Sequence, residues 1–238
     1  TSSKYSKKFR VAKAQENRIL TKNSGRTVVI GLDGVPYGLL DKLSDCGVMS
    51  NFKELKEDGT FRVMKSSLPE VSAVSWSSII TGKNPGEHGV YGFTDMLRGL
   101  YVLSFHSFKK LKALPFWQAA KTNRYVIINL PATYPAGEIN GILISGFVSP
   151  DLERAVYPRE YLKLLLDMNY RIDIDVERSK LSNSLLFSQL HEVLNTRMRL
   201  AIHLWDKMNW NVFMLVFTGT DRLEHFLWDA YENKRHEY

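Results

Sequence analysis

Cysteine is all but missing from this sequence: Cys46 is the single one among 238 residues. A disulfide framework and a thiolate zinc site each need several cysteines, so neither can be built within one chain. Long apolar runs are missing too. No stretch reaches the roughly 18 consecutive apolar residues of a membrane span, and the N-terminal stretch holds no apolar run of the signal-peptide kind. These absences set the expectation of a cytoplasmic, reducing compartment and no transmembrane segment. An acidic excess is lacking as well, since the net charge is +7, and that surplus raises the question of a nucleic-acid partner. Its distribution argues against one. Of the 32 basic and 25 acidic residues, residues 1–26 hold eight and one, which leaves the remainder balanced. A Lys- and Ser-rich leader of this kind has too little apolar surface to offset ordering entropy, so residues 1–26 are expected to form a flexible, solvated arm.

Two familiar site patterns are also absent. His191-Glu192 continues as Val-Leu-Asn, without the second histidine four residues on that a zincin helix needs. Gly82-Lys83-Asn84-Pro85-Gly86 lacks the Gly-Lys-Ser/Thr ending of a nucleotide-cradling loop and reads as a turn leaving a helix.

What is present is a core-building chain, 44% hydrophobic and 12% aromatic, long enough for one large domain. Thr27-Val-Val-Ile-Gly-Leu32 is short, β-branched and apolar throughout, which predicts a strand covered on both faces. Helices are predicted over 36–44 and 51–58, the second opening on a capping-box spacing of Asn51 and Glu54 and closing at Gly59. Further strands are expected at 61–66, 101–105, 125–129, 142–146 and 212–217, and further helices at 115–122, 158–167 and 184–207. Asp173 and Asp175 alternate and are expected on the exposed face of a strand. Strands alternating with helices predict an α/β sandwich with a mostly parallel sheet.

Three segments can carry chemistry. Asp33 follows the first strand directly, so its carboxylate is held at the sheet edge where ligands of open α/β sheets sit. Asp-Gly is also a common turn pair. Val71-Ser-Ala-Val-Ser-Trp-Ser-Ser-Ile-Ile-Thr-Gly82 follows a Pro-Glu turn and can place a serine hydroxyl at a helix start, where free N–H groups favour a phosphate. Serines there are also ordinary caps. In Asp221-Arg-Leu-Glu-His225 the aspartate and histidine are four apart, on one face of a helical turn, and make half of a zinc or manganese site.

In this order the segments resemble the type I phosphodiesterase/nucleotide pyrophosphatase family of the alkaline phosphatase superfamily. The matching stretches are VVIGLDGV, LPEVSAVSWSSIITGKNPGEHGVYGF, INLPATYPAGEINGILISGF and FTGTDRLEHFLWD, which together cover most of residues 27–230. The resemblance implies an alkaline-phosphatase-like three-layer α/β/α sandwich, with residues 27–238 as the N-terminal part of the catalytic domain. It puts the nucleophile ten residues before Gly82, at Ser72, and metal ligands at Asp33, Ser72, Asp221 and His225. It further implies two divalent ions, zinc or alternatively manganese, and a small phosphate-ester substrate cleaved through a phospho-serine intermediate. The family's nucleotide-cleaving members usually carry threonine with an asparagine three residues later, where this chain has Ser72 and Ser75. The family completes its metal sites with a further Asp-His pair and another histidine, which do not occur before Tyr238, so the chain by itself is expected to be inactive. Phosphomonoesterase, phosphomutase and a non-catalytic binding domain of the same fold are the alternatives. A sulfatase is disfavoured, because its Cys/Ser-x-Pro/Ala-x-Arg setting is not met at Cys46, which is followed by Gly-Val-Met.

Overall fold

The computed structural model describes residues 25–96, 99–105, 107–233 and 235–236. Nearly all of the basic leader, residues 1–24, lies outside the described residues. In chain order the elements are β1 (Thr27–Leu32), α1 (Tyr37–Asp45), α2 (Ser50–Asp58), α3 (Ser72–Thr81), α4 (Pro85–His88), β2 (Thr94–Met96), β3 (Leu103–Phe105), α5 (Phe116–Ala119), β4 (Tyr125–Leu130), β5 (Gly141–Ser145), β6 (Val156–Tyr157), α6 (Leu162–Asp167), α7 (Val176–Ser179), α8 (Asn183–Lys207), β7 (Val212–Phe217) and α9 (Gly219–Glu232).

The main sheet runs in the order β1-β7-β4-β5-β6, with β1, β7, β4 and β5 parallel and only β6 antiparallel, while β2 and β3 form a separate hairpin. Alternation along the strands sends side chains to both faces. Val126, Ile128, Phe213 and Leu215 meet Leu200 and Leu204 of α8 and Leu165 of α6 on one face. Ile127, Leu143, Met214 and Val216 meet Trp76 and Ile80 of α3 and Trp117 of α5 on the other. Helices on both faces of a mostly parallel sheet make the expected three-layer α/β/α sandwich.

Several expectations are corrected. β1 is covered on one face only: Val29 packs with the α3 side, whereas Val28 and Ile30 remain 45% and 58% exposed. Among the described residues it stands at the sheet edge, with β7 as its one partner. Residues 61–66 form no strand. Phe61 instead stacks on Tyr37 of α1, ring centroids 4.2 Å apart, and meets Phe52 of α2 edge-on, so aromatic packing anchors that segment. The capping box at Asn51 is not formed, because α2 starts a residue earlier after Met49 with no side-chain cap. The helix expected at 115–122 shortens to α5, and the strand at 101–105 to β3. α8 comes close to expectation and is capped by Ser182 Oγ, which accepts from the Leu185 N–H at 3.2 Å. Asp173 and Asp175 lie on no strand: Asp175 caps α7 by accepting from the Arg178 N–H at 3.0 Å, and Asp173 is drawn inward by Arg222. No helix among the described residues is long and apolar enough to cross a membrane.

Candidate active site

The site forms where β1 and β7 end side by side. Leu32 pairs with Phe217 at the last rung, and the Asp33 N–H continues the ladder onto the Phe217 carbonyl at 2.9 Å. Two aspartates 188 positions apart therefore leave the sheet together, Asp33 from β1 and Asp221 from the first turn of α9. Thr220 Oγ1 donates to the Asp33 carbonyl and ties the two turns. Gly34 has φ +76°, and a Cβ there would fall 2.9 Å from the Asp221 Cα and 3.1 Å from Glu224 Oε2. The Asp-Gly pair thus makes the turn and lets it press against α9.

α3 is drawn over the same edge by a second close approach. A Cβ on Gly31 would lie 2.3 Å from Trp76 Cη2, so glycine is what lets the indole lie against β1. Trp76 Nε1 then donates to Asp33 Oδ1 at 3.3 Å, and Ser72, one turn earlier on that helix face, donates through Oγ to the same oxygen at 3.2 Å. Ser72 is the first residue of α3, where backbone N–H groups have no partner within the helix and the dipole's positive end favours an anion. The other serines of α3 are engaged elsewhere. Ser75 bonds Ser67 Oγ, Ser77 bonds the Ala73 carbonyl, and Ser78 bonds His88 Nε2. His88 Nδ1 accepts from the Val90 N–H at 3.1 Å, which puts the ring proton on Nε2 and makes His88 a donor to Ser78 rather than a base.

On α9, His225 Nε2 lies 3.5 Å from Asp221 Oδ1, and the histidine is exposed. Arg222 between them is buried: its Nη2 and Nε donate to Asp173 Oδ2 at 2.6 and 2.9 Å, and its guanidinium lies 4.0 Å from the centre of the Phe147 ring. Burial, then the charge of Asp221, raises the pKa of Asp33, against the hydrogen bonds from Trp76 and Ser72 and the charge of Arg222. Glu224 is raised by burial and by Asp221 and Asp33, with His225 opposing. Burial works against the Arg222 guanidinium, yet its bonds and charge contact with Asp173 outweigh it and raise its pKa.

The four residues singled out by sequence thus stand along one sheet edge, as an Asp33–Ser72 pair and an Asp221–His225 pair. Among the described residues no group of three or more His, Cys, Asp or Glu is placed to hold one ion. Carboxylate, imidazole and hydroxyl donors are of the kind that suits a zinc- or manganese-type cation, and each pair could offer two of them. Sequence reasoning missed Trp76, Arg222, Glu224 and Asp173. Trp76 and Glu224 were signalled by helical spacing from Ser72 and Asp221, whereas Arg222 and Asp173 had no such signal.

A family model described as type I phosphodiesterase / nucleotide pyrophosphatase matches residues 27–237. Among solved structures, the fold is similar to phosphonoacetate hydrolase from Sinorhizobium meliloti 1021 in complex with phosphonoacetate, at TM-score 0.61 and 20% identity over 81% of this chain. It is also similar to the same enzyme in complex with phosphonoformate, at TM-score 0.55 and 18% identity over 81% of this chain. This chain spans about half of those structures, 46% of each. No curated protein matches.

Proposed function

Because the chain belongs to the type I phosphodiesterase / nucleotide pyrophosphatase family, we propose that it serves hydrolysis of phosphate esters, diesters before monoesters, with Ser72 as nucleophile. One observation carries this reading: Ser72 alone among the α3 serines combines the first helical position with a hydrogen bond to a carboxylate, Asp33, at the sheet edge.

In the proposed reaction Ser72 Oγ attacks phosphorus, the bond from phosphorus to the leaving oxygen breaks, and the departing alkoxide takes up a proton. Water then attacks the phospho-serine, the bond between phosphorus and Ser72 Oγ breaks, and the hydroxyl is regenerated. The Ser72 hydroxyl already donates to Asp33 Oδ1 at 3.2 Å, which holds its oxygen at the sheet edge. Trp76 fixes that carboxylate from the other side. The free N–H groups at the start of α3 face an incoming phosphoryl oxygen. Two divalent cations, zinc or manganese, one on Asp33 with Ser72 and one on Asp221 with His225, would supply stabilisation of ionised oxygen and of the transferring phosphoryl group.

Each cation would have two protein donors here, where zinc sites use three or four. Residues 1–238 by themselves are therefore expected to bind zinc weakly and to turn over little, and a polypeptide that supplies further donors to the same edge should restore both. The test is a panel of diesters, monoesters and mutase substrates with added zinc or manganese, run on the complete polypeptide and its Ser72→Ala variant, with intact-mass detection of a phosphorylated Ser72. Turnover that survives Ser72→Ala sinks the nucleophile assignment. Metal binding without turnover on any substrate would favour a non-catalytic binding domain.

A further inference from the structure

The geometry points to Arg222 as the positioning residue that commits one oxygen of Asp221 to the protein and leaves the other for a cation. The inference rests on the reading of Asp221 as a metal ligand.

The two oxygens of Asp221 face different groups. Oδ2 lies 3.6 Å from Arg222 Nη1, and Oδ1 lies 3.5 Å from His225 Nε2. Arg222 cannot rotate away from this duty, because every other part of it is held. Its Nε and Nη2 form a fork onto Asp173, at 2.9 and 2.6 Å to Oδ2 and 3.2 Å to Oδ1. Its plane lies against Phe147 at 4.0 Å, and the residue is only 9% exposed. A planar guanidinium gripped along one edge and one face has a single remaining N–H edge, and here its Nη1 lies 3.6 Å from Asp221 Oδ2, an ion-pair approach longer than a hydrogen bond. Asp173, from the segment before α7, thus sets a side chain on α9 that in turn sets the candidate ligand beside it. This is the arrangement by which outer groups orient metal-binding carboxylates.

A charge-only role predicts the opposite effect on metal binding, and that makes the two separable. Asp173 and Asp221 contact the Arg222 guanidinium, and its positive charge also acts on Asp33. Removing it leaves the cluster more negative, so Coulomb attraction by itself would tighten cation binding. Loss of positioning would loosen it, because Asp221 could turn both oxygens or neither toward the ion.

The experiment is a cobalt(II) titration of the complete polypeptide, reading the dissociation constant and the visible absorption band, with Tm measured in chelator for each variant. Arg222→Met should weaken cobalt binding by about tenfold or more, in the range found for outer partners of metal ligands, and change the band. Arg222→Lys keeps the charge and loses the fork, so it should lie between wild type and Arg222→Met, and it supplies the answer if the methionine variant does not fold. Cobalt bound as tightly as in wild type, or more tightly, with an unchanged band in a folded variant overturns the inference. Asp221→Ala separates the two ideas. If it loses cobalt while Arg222→Met and Arg222→Lys do not, only the positioning role is wrong. If it binds cobalt like wild type, the ligand reading of Asp221 fails and takes this inference with it.

Discussion

Gly31→Ala tests the packing that aims α3 at Asp33. The new Cβ would sit 2.3 Å from Trp76 Cη2 and 3.2 and 3.3 Å from Cζ3 and Cζ2. The first contact is roughly 1.2 Å inside the optimum of about 3.5 Å for two carbons. Trp76 is only 6% exposed and its ring is rigid, so the strain is taken up by moving α3 off the sheet rather than by bending a side-chain tip. Overpacking of this kind costs about 1–3 kcal/mol, and a contact this short belongs at the upper end. Against it stands the gain from replacing glycine in a strand, about 0.5–1 kcal/mol. A net loss of about 2 kcal/mol remains, which for a chain of this size lowers Tm by about 4–8 °C. Thermal unfolding followed by near-ultraviolet circular dichroism reads it directly. Adding Trp76→Phe to Gly31→Ala removes the clashing ring and should recover at least about 1 kcal/mol relative to the sum of the single changes. That double variant still lacks the N–H that reaches Asp33, so stability should return without full metal affinity. A Gly31→Ala protein as stable as wild type, or strict additivity with Trp76→Phe, refutes the packing argument.

The remaining expectations concern the site itself. In the complete polypeptide Ser72→Ala should lower turnover by roughly a thousandfold or more, as loss of a catalytic nucleophile does, while Ser75→Ala, Ser77→Ala and Ser78→Ala keep a measurable rate; initial rates on a chromogenic diester decide it. Burial and Asp221 raise the Asp33 pKa, so the native state holds that proton more firmly than the unfolded chain, and this group's contribution to stability falls as pH rises from the ordinary carboxylate value through the raised one. Asp33→Asn should therefore flatten that fall and raise Tm at pH 7 in the presence of chelator, and an unchanged pH profile counts against the burial argument. His225→Ala should weaken zinc binding by about tenfold or more with little change in Tm, since the ring is exposed and its role lies in the site; calorimetric titration with zinc would contradict this if the two proteins bind alike.

The legible parts of the fold were those with one dominant local signal. β7 is an unbroken apolar run, β1 and β4 are apolar but for Thr27 and Asn129, and α8 is a long amphipathic repeat opened by a serine cap. Asp33 and Asp221 were legible because each stands just past such a run. That β1 and β7 are neighbours was not legible, since their pairing spans most of the chain and depends on sheet order. The exposure of Val28 and Ile30 was hidden for the same reason: an apolar strand reads alike at the centre and at the edge of a sheet. Residues 61–66 misled because Phe61 and Val63 alternate like a strand, whereas Phe61 is held by the rings of Tyr37 and Phe52. Glu224 was within reach, three residues after Asp221 on one helix face. Asp173 was out of reach, because its partner Arg222 lies 49 positions away and only the packed structure brings them together.

The electrostatics of this edge bear on the proposal that it takes a cation rather than a further structural contact. Asp33 is half-buried beside Asp221, and Glu224 stands in the field of both, so the pKa values of Asp33 and Glu224 are raised, by burial first and then by their acidic neighbours. A fold under no functional demand relieves such crowding by replacing an acid with a neutral residue or by turning it to water. Here the relief is incomplete. Trp76 and Ser72 give Asp33 hydrogen bonds without charge, and Arg222 spends its two best N–H contacts on Asp173, leaving a single longer approach to Asp221. The side chains that orient these carboxylates thus leave their negative charge largely unneutralised. Oriented, partly desolvated carboxylates with surplus negative charge bind a divalent ion at lower reorganisation cost than flexible ones at the surface. The same residual charge would repel a free phosphate, so under the proposed reaction a phosphoryl oxygen at the start of α3 needs positive charge supplied between it and Asp33.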